Sequence, residues 1–191
     1  VLFRSADAMT MIREHATEWH VDPDAIAVIG FSAGGHLAAN LATSTSDDVL
    51  VAHGYDPDAV RPNGLMLAYP VITSGPLAHR GSFDSLLGER RNDTEALESV
   101  SIERHIDAKT PPVFVWHTVP DEVVPYENTL MLIDACKKAG VSIEAHLFPQ
   151  GGHGLSLGTA ETAWQGVSGI EPSIQIWPQL AVSWMRRTFA R

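Results

Sequence analysis

The chain has 191 residues, 45% of them hydrophobic and 19% charged, an ordinary soluble globular composition with enough apolar content for one sizeable core in one domain. Its formal net charge is −10, from 23 acidic and 13 basic residues with no Lys/Arg cluster, which argues against a nucleic acid or an anionic membrane as partner. A single Cys excludes an internal disulfide and any Cys-x-x-Cys metal spacing, and no apolar run approaches the roughly 18 residues of a membrane span.

Taken in order, short apolar runs alternate with helical segments, which predicts an α/β fold with a mostly parallel sheet. Residues 6–19 read as a helix that ends before the turn Asp22-Pro23-Asp24. A strand is expected over 25–29, a helix over 33–45 and a second strand over 64–69. The stretch 70–110 is the longest irregular region, with short helices near 82–87 and 93–105. A third strand covers 112–117. The helix at 125–139 carries Cys136, read as a structural thiol, and is stopped by Gly140. A fourth strand covers 142–148, and a Gly-rich loop runs to about 172. The last helix, 174–189, would place Ile176, Leu180, Trp184 and Trp177 on one face. Strands followed by helices are βαβ units, and in open α/β sheets the working groups collect at the carboxyl ends of the strands.

Three of those strand ends carry chemistry. "GFSAGGHLAA" follows the first strand and contains Gly30-x-Ser32-x-Gly34, a nucleophile-elbow pattern in which a strained turn exposes the serine. The glycines are expected because flanking side chains would collide with the adjoining strand and helix. The helix starting at Ala33 would also aim its first amides at negative charge forming beside Ser32. "HTVPDEVVP" follows the third strand and offers Asp121 as a carboxylate to orient an imidazole, with Glu122 as its rival. "FPQGGHG" follows the fourth strand and offers His153, set among glycines on an exposed loop where it can swing, as a general base. The order Ser, Asp, His is that of α/β-hydrolases.

The remaining histidines take simpler readings. His36, one turn into the elbow helix, reads as a packing or hydrogen-bonding residue. His79 and His105 at most line a pocket, and His15, His20, His53, His117 and His146 show no paired spacing. With no H-E-x-x-H or similar cluster, no metal is expected. Tryptophans read as core, with Trp164, in the loop after His153, as the one candidate substrate contact.

The segments "IGFSAGGHLAA", "YPVITSG", "AHRGSF", "PPVFVWHTVPDEVVP" and "LFPQGGHGL" resemble bacterial α/β-hydrolases of the acetyl esterase and acetyl-xylan esterase type, relatives of the hormone-sensitive-lipase and prolyl-oligopeptidase-like hydrolases. The resemblance runs from about residue 6 to the C-terminus. It implies a serine esterase that removes short acyl groups, chiefly acetyl, from a small-molecule or oligosaccharide ester such as plant cell-wall carbohydrate. Ser32 would be the nucleophile, Asp121 the orienting acid, His153 the base and the Ala33 N–H one oxyanion donor. No cofactor is implied, and localisation stays open, with the cytoplasm favoured. The family's H-G-G-type loop, which carries the second oxyanion donor, does not precede Ser32 here, and about four early strands are likewise not found. The reading is therefore of residues 1–191 as the C-terminal portion of one α/β-hydrolase domain. Residues 1–5, "VLFRS", read as non-native because their codons can match the end of a sequencing adapter. The strand at 25–29 is then expected to be an apolar edge, and this chain alone to be a weak or inactive esterase. The segment 70–110 is too short for a large lid, which suits an open pocket. Two other readings stay open: a prolyl-oligopeptidase-type serine peptidase, and a non-catalytic binding module on the same fold.

Overall fold

The structure, a computed structural model, describes residues 1–164 and 168–190. Helix α1 spans Leu2–Glu14 and buries Ala6 and Met9; the residues after it to 20 form turns rather than the expected continuation of the helix. Strand β1 is Ala27–Phe31, shifted two residues from the expected 25–29. The shift arises because Ile26 is taken up by Asn63: the Asn63 side-chain oxygen accepts the Ile26 N–H, and the Ile26 carbonyl accepts the Asn63 N–H. At the other end Phe31 still pairs with Ala68.

Helix α2 (Ala33–Ala42) stops at Thr43, whose extended backbone leaves the helix while its hydroxyl donates to the Ala39 carbonyl at 2.8 Å. Two short helices follow, α3 (Asp47–Ala52) and α4 (Pro57–Val60), neither of them expected from the sequence. Asp56 caps α4 by accepting the Asp58 N–H, and Pro57 sits in its first turn, where no N–H is needed. Next come β2 (Gly64–Ala68), α5 (Arg80–Leu87), α6 (Thr94–Ser99), β3 (Val113–Thr118), α7 (Glu127–Ala139), β4 (Ile143–Phe148) and α8 (Trp177–Thr188). The segment expected as one helix over 93–105 is divided: Val100 leaves the helical conformation, and a separate 3₁₀ turn covers Ile102–Arg104. Gly140 ends α7 in the left-handed conformation, φ 73°, as the sequence predicted.

The four strands are parallel in the order β1-β2-β3-β4. The inner strands β2 and β3 are buried on both faces, and their side chains alternate between two cores. Leu65, Leu67, Val113 and Val115 pack with Ala38, Ala39, Leu132 and Cys136 from α2 and α7. Ala68, Phe114 and Trp116 face the other way, onto Trp177, Ala181 and Trp184 of α8. The buried face of α8 is therefore Trp177–Ala181–Trp184, one stripe at i, i+4 and i+7. Ile176, expected on that face, is exposed because it lies about one residue's rotation off the stripe. Strand β1 is an edge of the sheet among the described residues, with Ile29 exposed beside an apolar groove lined by Val28, Phe31, Leu37 and Leu41. On the opposite edge, β4, Glu144 makes a hydrogen bond with His146 at 2.9 Å and an ion pair with Arg187. Among the described residues no helix is long and apolar enough to cross a membrane.

Candidate active site

Ser32 lies between the end of β1 and the start of α2. Its backbone takes φ 54° and ψ −122°, a conformation that a non-glycine residue adopts only at a cost of order 1–3 kcal/mol. The surroundings hold it there. Its N–H donates to Ala68 at 3.0 Å, and its carbonyl accepts from Gly35 at 2.9 Å and Val71 at 3.2 Å.

The reason for the glycines is more selective than the sequence reading. A Cβ at Gly30 would stand 2.3 Å from the Gly34 carbonyl oxygen, and one at Gly35 would meet Pro70 at 2.9 Å. A Cβ at Gly34 would meet nothing within 4 Å. The strand-side glycine and the one just outside the pattern are thus the sterically required pair, because there the strand, helix and Pro70 close on one another.

The Ser32 hydroxyl is 2.7 Å from His153 Nε2, to which it donates when that nitrogen is bare. The His153 Nδ1–H donates to Asp121 Oδ2, also at 2.7 Å. The loop that brings His153 here uses Gly151 at φ 98° and Gly154 at φ 77°. Thr118, at the end of β3, donates to the Gly152 carbonyl at 3.1 Å and ties that loop to the neighbouring strand end. His153 is not a swinging exposed group. Its side chain is 15% exposed, bonded at both ring nitrogens, and the Tyr69 ring stands edge-on to it at 4.9 Å. The strand neighbours and Tyr69 enclose the ring on sides that the flanking glycines alone leave open.

Asp121 is buried in the turn after β3, whereas its rival Glu122 points to solvent. Its Oδ1 accepts the N–H groups of Val123 and Val124, each at 2.9 Å. Burial by itself pushes this carboxyl up. The donors from His117, His153 and Val124, with the charge of His153, outweigh it and hold the group well below the usual carboxylate range. Sequence reading missed His117. It is fully buried, and its Nε2 stands 3.2 Å from Asp121 Oδ2. The four-residue spacing from His117 to Asp121, across the end of a buried strand, was the available signal.

Ala33 opens α2, so its N–H belongs to the first turn, where no intrahelical acceptor exists, and it adjoins Ser32. Tyr69, with φ 39°, was also missed; its hydroxyl accepts the Ser156 N–H at 3.0 Å, while Trp177 Nε1–H donates to the Ser156 carbonyl at 2.8 Å.

The other histidines stand apart from these three side chains. His36 donates from Nε2 to Val100 at 2.8 Å and receives Asn40 at Nδ1, and burial lowers its pKa. His79 bonds Ser82 and His105 reaches the Glu98 carbonyl. Trp164 is 75% exposed and pairs with Ser168 in an isolated bridge. Among the described residues no three His, Cys, Asp or Glu side chains are placed to hold a metal ion. The arrangement can move a proton from Ser32 to His153 while Asp121 balances the charge, which is the chemistry of acyl transfer at a serine.

The xylanase B of Butyrivibrio fibrisolvens, an endo-1,4-β-xylanase by name, is 35% identical to this chain over 161 residues, which cover 83% of the chain and 25% of that protein. An acetylxylan esterase of Xylanibacter ruminicola is 30% identical, over 78% of the chain and 30% of its own length. This chain thus spans about a quarter to a third of these curated relatives. Among solved structures, an acetyl ester-xyloside bifunctional hydrolase from Caldicellulosiruptor lactoaceticus superposes with a TM-score of 0.80 at 36% identity, covering 97% of this chain and 65% of that one. The carboxylesterase Cest-2923 from Lactobacillus plantarum does so with a TM-score of 0.80 at 29% identity, covering 97% of this chain and 66% of that one. The BD-FAE family model matches residues 5–135, and the chain belongs to that family of α/β-hydrolases.

Proposed function

We propose that the protein to which this chain belongs is a serine carboxylic-ester hydrolase that removes acetyl groups from xylan-type carbohydrate. The observation that carries the reading is the continuous relay from Ser32 Oγ through both nitrogens of His153 to Asp121, with each step at 2.7 Å. The names of the acetylxylan esterase and the acetyl ester-xyloside hydrolase support the acetylated-sugar substrate.

Ser32 Oγ attacks the acetyl carbonyl while His153 Nε2 takes its proton, a transfer worth on the order of 10²–10⁴ in rate. Asp121 holds the imidazole with Nδ1 protonated and stabilises the imidazolium. The Ala33 N–H and the amino end of α2 face the oxyanion that forms beside Ser32; one such donor is worth on the order of 10²–10³. Collapse of the tetrahedral species breaks the bond to the sugar oxygen, which leaves with the proton from His153. Water, deprotonated by the same histidine, then frees acetate and restores Ser32.

The test is the intact mass of the chain after exposure to a fluorophosphonate probe, with Ser32→Ala and His153→Ala as controls. A single adduct in the unsubstituted chain that both variants lack is expected. A chain still labelled after Ser32→Ala overturns the assignment of Ser32, and a folded chain that takes no adduct means that the reaction needs a group outside residues 1–191. Acetate release from acetylated xylan, run beside an aminoacyl-proline amide, tests the substrate; hydrolysis of the amide alone would make the protein a peptidase.

A further inference from the structure

Asp121 receives four donors, and only His153 is accounted for by proton transfer. Val123 and Val124 N–H occupy Oδ1, so the direction of Oδ2 depends on what faces it. Two imidazoles do: His153 Nδ1 at 2.7 Å and His117 Nε2 at 3.2 Å. His117 is fully buried on β3, between the turn that carries Asp121 and helix α7.

Its tautomer follows from its neighbours. Nε2 faces the Asp121 carboxylate and the Val124 carbonyl at 3.0 Å, and neither has a hydrogen to give. Nε2 therefore carries the hydrogen. Nδ1 faces the buried Thr129 hydroxyl at 2.8 Å, which can rotate to donate to it. Thr129 on α7 thus satisfies the other ring nitrogen and holds the ring with Nε2–H pointing at the acid.

We infer that His117 is a positioning residue for Asp121, a fixed Nε2–H donor that aims Oδ2 at His153 and draws off part of its negative charge. The inference rests on the proposed role of Asp121 and His153. Its chemical consequence concerns the base. A carboxylate that shares its charge with a second donor pulls less strongly on the His153 Nδ1 proton and stabilises the imidazolium less. Loss of that donor leaves Asp121 a stronger partner for an imidazolium, so the pH dependence of Ser32 reactivity should depend on His117. The titratable groups around the acid and the base are Asp121 and His117 from the turn after β3 and from β3 itself, and Tyr69 just after β2. Of these His117 is the one that touches the acid without touching the base.

The experiment compares the unsubstituted chain with His117→Leu and His117→Gln. Leu removes the donor, and Gln restores an N–H at about the reach of Nε2 together with an oxygen for Thr129. Two readouts are taken: the pH dependence of the fluorophosphonate labelling rate, and the far-downfield proton resonance of His153 Nδ1–H. For His117→Leu labelling is expected to slow on the order of tenfold at neutral pH. The acid limb of its profile should move to higher pH, and the resonance should shift, with His117→Gln reversing all three. A folded Leu variant with an unmoved limb and resonance overturns the inference, as does failure of Gln to restore them. If no form of the chain is labelled, the reactivity of Ser32 needs a group outside residues 1–191, and the resonance alone decides the role of His117. If the Leu variant does not fold, the nitrogen spectrum of ¹⁵N-histidine in the unsubstituted chain decides. A protonated Nε2 with a bare Nδ1 on His117 supports the inference, and a bare Nε2 overturns it.

Discussion

The Tyr69 hydroxyl accepts the N–H of Ser156 at 3.0 Å, so the residue just after β2 holds the loop that delivers His153 from β4. Trp177 grips the same residue through its carbonyl. Ser156 itself sits at φ 52°, and the two bonds hold it in that conformation. Replacing Tyr69 with Phe keeps the ring against His153 and removes only the acceptor. The expected loss is about 1–2 kcal/mol of stability, from an N–H left without its partner. Amide exchange over 150–158 should quicken and fluorophosphonate labelling should slow. Unchanged exchange there would show that Trp177 suffices to hold the loop.

The two glycines flanking Ser32 should respond in opposite ways to alanine. Gly30→Ala forces a methyl against the Gly34 carbonyl and is expected to cost about 3 kcal/mol and to abolish labelling of Ser32. Gly34→Ala adds a methyl to open space within α2 and should raise stability by up to about 1 kcal/mol. Thermal melting of the pair reads both, and equal destabilisation would contradict the geometry.

Asp121 links the site to acid stability. Its folded-state pKa lies below the unfolded value, so its contribution is fully present above about pH 4 and is lost as pH falls toward the depressed value. Asp121→Asn has no such contribution to lose. The gap between the urea midpoints of the two proteins should therefore narrow from about pH 6 to about pH 3. A gap that stays constant over that range would mean that the buried bonds to Asp121 do not favour its charged form.

Ile29 stands 41% exposed on the edge strand β1, beside an apolar groove and with no strand on its outer side among the described residues. Such an edge is a template for pairing with another chain. Sedimentation should show concentration-dependent association of the isolated chain, and Ile29→Lys should weaken it by placing a charge on the edge. Equal association of the two forms would locate the contact elsewhere.

Cys136, on the buried face of α7, packs in the core, and burial pushes its thiol up to about 12. Alkylation at neutral pH is expected only after denaturation, since the thiolate is the reactive form. Mass spectrometry with and without urea reads this directly.

Much of this protein is local in origin, and that part was open to sequence reading. The alternation of strands and helices follows from runs such as 64–68 and 113–118, apolar on both faces because both are covered. The Ser32 elbow needs only a strand, a glycine turn and a helix within one short stretch, and Gly140 announces its own left-handed cap. Trp177, Leu180 and Trp184 on one face of α8 were legible too, whereas the helices α3 and α4 were not. Leu50 of α3 and Val60 of α4 are buried against Ala6, Met9, Ile26 and Leu41, which come together from α1, the lead-in to β1 and α2, and such short segments carry too little periodicity to declare a face. The site divides likewise. Strand-end positions were enough to name Ser32, Asp121 and His153. That Ser32 and His153, 121 residues apart, stand at bonding distance is a property of the parallel sheet, which sets the ends of β1 and β4 on one side. Tyr69 was invisible for the same reason, and His117 left only its four-residue spacing to Asp121 as a trace. A buried imidazole and a phenol gain roles only from the groups that face them, and hydrogen bonds between distant residues leave no periodic trace in the chain.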